Sequence, residues 1–217
     1  MICNNFFECV TTACTEKKKK EQAKDTRTKK SDRKKAKESE KEKTSEEIWV
    51  SPCKDSSQQC KCVAYADTRS RPSCNEQGKS YVYDQSELTN KQVVVCTHID
   101  DGVVNGAEAK KISKCDYAFF VKNAPAANSL EKAILVELKG SDVNHALEQL
   151  KGTLGIKEFK DVWTHGCPVY GRVVCSRVPG IVYSDSVIKE KKEWKKRYNG
   201  SLKVASNGNM VDNCNDM

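Results

Sequence analysis

Residues 133–150, AILVELKGSDVNHALEQL, constrain the fold of this chain more than any other stretch. Four apolar residues, Ala133–Val136, lead into Glu137, Leu138 and Lys139, and Gly140-Ser141-Asp142 then interrupts the run. An apolar run of this length, closed by glycine, predicts a buried strand. Beyond the break, Val143, Ala146, Leu147, Leu150 and Leu154 recur at three- and four-residue intervals. That spacing predicts an amphipathic helix, with Ser141 or Asp142 as its N-cap. Alternation along the strand puts Glu137 and Lys139 on one face and Leu138 on the other.

Other strands are legible on either side. QVVVCTHI (92–99), CDYAFFVK (115–122), PVYGRVVCSR (168–177) and SYVYD (80–84) all have strand character. The core order is strand, strand, strand, helix, strand. Short connections make antiparallel neighbours, whereas a strand–helix–strand crossover returns parallel. The expected fold is therefore α/β, a central mixed β-sheet flanked by helices. SELTN (86–90) is expected to open a short helix capped by Ser86, and DDGVVNG (100–106) to form a turn or hairpin. IKEKKEWKKRY (188–198) reads as a charged surface helix anchored by Trp194 and Tyr198. The Ser- and Cys-rich stretch up to Asn75 has no assignable pattern, and the Asn-rich C-terminus is expected to be loose.

Charge sets the domain limits. Residues 17–43 hold 14 Lys/Arg against 6 Asp/Glu, a net +8, which equals the net charge of all 217 residues. With only Ala23 and Ala36 as apolar side chains, this block cannot offset the entropy of ordering. Residues 1–47 are expected to be a basic, disordered tail, and 48–217 one domain with its core at about 80–180. The tail suits a nucleic-acid-binding arm that gains affinity by counterion release, or a nuclear-type address. MICNNFFECVTTACTE lacks the features of a secretory signal. No stretch approaches the ~18 apolar residues of a membrane span. A soluble protein is expected, cytoplasmic or otherwise intracellular, or nuclear in a eukaryote.

Twelve cysteines are many. Several stand inside apolar runs, such as Cys96 and Cys175, where a reduced thiol behaves as a small hydrophobe. Reduced cysteines are expected. Cys53, Cys60, Cys62 and Cys74 are spaced C-x6-C-x-C-x11-C without a C-x2-C knuckle, so a structural zinc is not expected.

Asp116 opens the apolar run before the one that ends in Glu137 and Lys139. If those strands are neighbours, two carboxylates converge, and their repulsion calls for a cation. Carboxylates on rigid elements suit Mg²⁺, with Mn²⁺ as a substitute. A strand carrying Asp, then about twenty residues on a strand carrying Glu-x-Lys, then a helix resembles the PD-(D/E)xK nuclease superfamily over roughly residues 80–180. The resemblance implies a restriction-endonuclease-like core and a metal-dependent phosphodiesterase. It implies Asp116, Glu137 and the backbone carbonyl of Leu138 as metal ligands, with Lys139 positioning the attacking water. Gln149, on the following helix, is expected to support the site. Two positions differ from the family's pattern: Cys115 stands where proline precedes the aspartate, and Thr153 where some members have tyrosine. Glu87 is the candidate for a glutamate on the first helix, with Glu46 and Glu47 as alternatives.

Arg172, Arg177 and Lys151 are the candidate phosphate contacts, since guanidinium and ammonium groups match phosphate oxygens. Lys157 and Lys160 extend that surface. His98, His145 and His165 are read as structural or exposed, and Trp163 and Trp194 as packing residues. The expected function is a Mg²⁺-dependent nuclease, most of all a DNA endonuclease of defence, restriction or repair, with nucleic acid as partner and a homodimer or a protein partner allowed. The alternative is a non-catalytic nucleic-acid-binding or interaction protein with a degenerate nuclease fold and a Cys segment that zinc could stabilise.

Overall fold

The computed structural model describes residues 62–217 apart from 105–109, 124–128, 165, 177–179 and 181–183, together with Phe6 and Val10. For residues 161, 163 and 164 it describes the backbone alone. The elements run β1 (Val63–Asp67), β2 (Ser73–Glu76), β3 (Lys79–Asp84), β4 (Val93–His98), β5 (Tyr117–Lys122), β6 (Lys132–Lys139), α1 (Val143–Gly155), α2 (Lys157–Thr164), β7 (Val169–Cys175), α3 (Asp185–Tyr198), β8 (Asn199–Ala205) and β9 (Asn209–Asn213), ending in a 3-10 turn at Cys214–Asp216.

Six strands form a mixed sheet in the order β1-β4-β5-β6-β7-β8. The pairs β1–β4, β4–β5 and β5–β6 are antiparallel, and β6–β7 and β7–β8 are parallel. The parallel pairs are those whose connections contain α1 with α2, and α3, as crossover geometry requires. A second sheet, β2-β3-β9, combines an antiparallel and a parallel pair.

Alternation divides the core in two. Along β6, Ala133 and Leu135 join Leu147, Leu150, Phe159 and Trp194 on the helix side. Ile134, Val136 and Leu138 join Tyr81, Tyr83 and Met210 of the small sheet on the other side. The large sheet is thus covered on both faces, which is why its central strands read as unbroken apolar runs. Phe6 and Val10 also belong to the helix-side core, the Phe6 ring lying 5.4 Å from Phe120 and 4.7 Å from Phe159. Cys62 and Val63 are in that same core. Residues 11–61, with the basic block at 17–43, lie outside the described residues.

Several local expectations need correction. The unassigned stretch before Asn75 supplies β1 and β2, and Gln77 and Gly78, both at positive φ, turn β2 into β3. SELTN forms no helix. Asp84 Oδ1 accepts both the Ser86 N–H (2.9 Å) and the Ser86 hydroxyl (2.6 Å), holding Ser86 in a turn instead of at a cap. The C-terminus is not loose, because Leu202 of β8 and Met210 and Asp212 of β9 are buried. Asp142 is the cap of α1, accepting the His145 N–H at 3.0 Å.

The seven described cysteines are buried, and no disulfide joins any two of them. Cys62 and Cys74 sit in different halves of the core, while Cys53 and Cys60 lie outside the described residues. Among the described residues, no helix is long and apolar enough to cross a membrane.

Candidate active site

The antiparallel register of β5 and β6 pairs Tyr117 with Val136. Continued by one residue, it sets Asp116, just ahead of β5, across from Glu137. Both share parity with helix-side core residues, Ala118 and Phe120 on β5 and Ala133 and Leu135 on β6. The two carboxylates therefore meet at the carboxyl end of β6 under α1. Asp116 Oδ2 accepts the Leu138 N–H at 2.7 Å. Lys139 Nζ lies 3.7 Å from Glu137 Oε1 and donates to Gln149 Oε1 at 2.8 Å. Glu137 is only 1% exposed, and its Oε2 has no hydrogen-bond partner. Among the described residues the same holds for one other buried side-chain oxygen, Oε2 of Glu158 on α2.

Helix α1 braces both halves of this arrangement. Gln149 accepts from Lys139 and donates its amide to the Lys114 carbonyl at 3.0 Å. Four residues on, Thr153 Oγ1 accepts the Cys115 N–H at 2.8 Å and donates to the Gln149 carbonyl at 3.0 Å. Between them, Gly152 lets the helix approach so closely that a Cβ there would stand 2.1 Å from the Ser113 oxygen. The segment entering Asp116 is thus held against α1 by a glycine, a hydroxyl and an amide.

Burial pushes the Glu137 carboxyl up to about 8, with the Asp116 charge adding to the rise and Lys139 opposing it. Asp116 is pushed up to about 6 by burial, against the Leu138 N–H, which favours its charged form. Both rises are chiefly the cost of burying a charge, which a cation bound beside the two groups would offset. Among the described residues, no three His, Cys, Asp or Glu side chains form a ready-made cation cage. A pair of carboxylates is nonetheless what Mg²⁺ uses when water and substrate oxygens complete its shell.

Other expected residues fall elsewhere. Arg172 pairs in register with Val136, so it faces away from Glu137. It is fully buried between the sheets, where Nε pairs with Asp212 Oδ2, Nη1 donates to the Gly171 and Ser201 carbonyls (2.8 and 2.6 Å), and Nη2 reaches Ser201 Oγ at 3.4 Å. Its donors are committed to the fold, and the expected phosphate contact is corrected to a structural ion pair. Lys151 leaves the opposite flank of α1 from Gln149, since two residues are ~200° apart on a helix, and pairs with Glu190 of α3 at 2.9 Å. Glu87 lies past the end of β3 and accepts from Asn215 Nδ2 at 3.3 Å, remote from the start of that strand and the site. His145 is an exposed residue of α1, 3.7 Å from Glu148. Lys157 and Lys160 are exposed on α2. Trp194 packs as expected, donating Nε1–H to the Val169 carbonyl at 2.8 Å. Arg177, His165, Glu46, Glu47 and the Trp163 side chain lie outside the described residues.

Two acidic residues at this end of the sheet were not foreseen. Glu76 closes β2, and its charge acts on both Asp116 and Glu137; Asp100, bonded to Lys114 at 3.0 Å, acts on Asp116. Gly78 between two strand-like segments was the available signal for the hairpin that carries Glu76. The chain matches no protein-family model, no curated protein and no solved structure.

Proposed function

We propose that this protein is a Mg²⁺-dependent nuclease that hydrolyses phosphodiester bonds, with DNA as its principal substrate. The observation that carries the reading is Glu137 Oε2, a buried carboxylate oxygen without a hydrogen-bond partner among the described residues, on a residue set across from Asp116 by the strand register. An orphaned buried acceptor costs about 1–3 kcal/mol, more when charged. Such a group fits a site that waits for a cation. The restriction-endonuclease-like core belongs to the same proposal. It is supported by three strands in antiparallel sequence followed by helices and a parallel strand, with Asp116, Glu137 and Lys139 gathered at one end.

Asp116 and Glu137 would hold the cation with the Leu138 carbonyl, and the Leu138 N–H fixes the Asp116 carboxylate. Bound Mg²⁺, or Mn²⁺ in its place, supplies Lewis acidity to the phosphate and acidity to a water. Lys139 is 28% exposed at its side chain, so its ammonium reaches both Glu137 and the space where a phosphate would lie. There it orients the attacking water and offsets negative charge growing on phosphate oxygens. Water oxygen bonds to phosphorus and gives up a proton to solvent, the opposite P–O bond breaks, and the leaving oxygen takes a proton from solvent. Gln149 keeps Lys139 in place and does not itself take part.

Cleavage of supercoiled plasmid, linear duplex and single-stranded DNA with Mg²⁺, Mn²⁺ or EDTA tests this. Wild-type protein should cut with metal and not with EDTA, and Glu137→Gln and Lys139→Ala should each lose at least ~10²-fold, the scale of a transition-state electrostatic contact. Folded wild-type protein that cuts none of these substrates with either metal, or variants that cut equally well, would overturn it. A role in defence, restriction or repair is part of the proposal.

A further inference from the structure

The same end of the sheet carries two aromatic side chains for which the proposed hydrolysis has no use. His98, the last residue of β4, pairs in register with Tyr117, the first of β5. Their ring centroids are 4.7 Å apart and the planes are inclined by 50°. Tyr117 follows Asp116 in the chain, one Cα step of ~3.8 Å, and alternation turns it to the small-sheet face. A strand of nucleic acid with a phosphate at Asp116 and Glu137 would pass round the end of the sheet within reach of these rings.

Two features separate this pair from ordinary core aromatics. Both rings are half-buried, whereas Phe119, Phe120, Tyr81 and Tyr83 are sealed. The hydroxyls of Tyr65, Tyr81 and Tyr83 donate to Ser73 O (2.9 Å), Asp212 Oδ2 (3.2 Å) and Gln92 Oε1 (2.5 Å). Neither the Tyr117 hydroxyl nor the His98 imidazole hydrogen-bonds to any described residue. The frame beneath them is nevertheless fixed. The His98 N–H donates to the Cys62 carbonyl at 3.0 Å and its carbonyl accepts the Val103 N–H at 3.0 Å. Gly102 is pressed so close that a Cβ would stand 2.3 Å from the His98 oxygen.

The surrounding chemistry favours a neutral aromatic ligand. Burial lowers the His98 imidazole below its usual range, so it presents a π-face at neutral pH instead of a charge. Glu76, whose charge acts on both rings, is an acceptor for amino groups. Bases in a duplex have their faces covered by neighbours, while an unpaired base offers one to an aromatic side chain.

We propose that His98 and Tyr117 form a stacking subsite for an unpaired nucleobase beside the scissile phosphate, so that the substrate is single-stranded nucleic acid or the unpaired part of a duplex. The phosphate's position rests on the nuclease reading; the ring pair is testable without cleavage. The test uses full-length Glu137→Gln protein in EDTA, titrated into oligonucleotides carrying the fluorescent base 2-aminopurine, single-stranded or in blunt duplex. Expected are tighter binding to the single strand and quenched fluorescence as the base stacks. Tyr117→Leu or His98→Ala in that protein should weaken single-strand binding roughly 10- to 100-fold, the worth of one stacked base, and Tyr117→Phe should restore it. Unchanged melting temperatures separate lost stacking from lost folding. Equal affinity of the Leu and Ala variants, preference for blunt duplex, or no binding to either would overturn the proposal. Stacking retained in a protein that never cleaves would leave the subsite standing and remove the nuclease reading. Cleavage of single strands unaffected by Tyr117→Leu would do the reverse.

Discussion

Glu137 is the residue at which stability and function pull apart. Its neighbours on β6 are apolar and buried, and an apolar residue there would suit the core; the chain instead buries a carboxyl with one oxygen unmatched. If the site exists to hold a cation, removing the charge should relieve the metal-free protein while ending its function. Glu137→Gln keeps the shape, so its melting temperature in EDTA at pH 8.5 should equal or exceed that of wild type. Adding Mg²⁺ should raise the melting temperature of wild type alone, since a ligand stabilises the state that binds it. Differential scanning calorimetry reads both, and a clear fall for the variant in EDTA would mean the carboxylate has a structural partner.

At the scale of elements, α1 is the brace of the site, and its close approach to residues 113–116 depends on Gly152. Alanine ordinarily gains about 1 kcal/mol over glycine inside a helix. Here the added Cβ meets backbone at 2.1 Å, and overpacking costs about 1–3 kcal/mol. Contact with backbone puts the clash at the upper end of that range, so Gly152→Ala should lower stability by about 2 kcal/mol in denaturant titration and reduce cleavage by displacing Asp116. Gly155→Ala, where a Cβ meets nothing within 4 Å, should be neutral or stabilising. The same elements mark how far the sequence was legible. β4, β5, β6 and β7 lie in the middle of a sheet covered on both faces, and their apolar runs name them, as the three- and four-residue spacing names α1. β1, β2, β8 and β9 are edge strands or belong to the small sheet, where Asp67, Glu76 and Asn209 interrupt any run. Asp116, Glu137, Lys139 and Gln149 could be picked out because they lie in or next to the legible elements. Arg172 was misplaced because its face depends on the β6–β7 register, which pairs it with Val136 and which no local pattern encodes.

For the whole molecule, an ionic tie joins the two sheets beside their shared apolar core. Asp212 of β9 takes Arg172, Lys203 Nζ at 2.7 Å and the Tyr81 hydroxyl, and the small sheet that carries Glu76 depends on this attachment. Burial alone would raise the Asp212 carboxyl, but the Arg172 charge and the hydrogen bonds from Lys203 and Arg172 hold it below the usual carboxylate value. A folded value below the unfolded one means the contribution is complete above the unfolded pKa of ~3.9 and is lost as pH falls through the folded value. Asp212→Asn should cost about 3–5 kcal/mol at pH 7, since it strands the buried Arg172 charge. Its melting temperature should fall less steeply than that of wild type below about pH 4. Parallel acid profiles for the two proteins would place the tie elsewhere.

The central claim, that Asp116 and Glu137 are a cation-binding pair, is tested most directly by calorimetric titration of the metal-free protein with Mn²⁺. The account predicts saturable binding by wild type and by Lys139→Ala, and none by Glu137→Gln or Asp116→Asn at unchanged folding. Binding that survives both carboxylate substitutions, or no binding by folded wild-type protein with substrate DNA present, would contradict it.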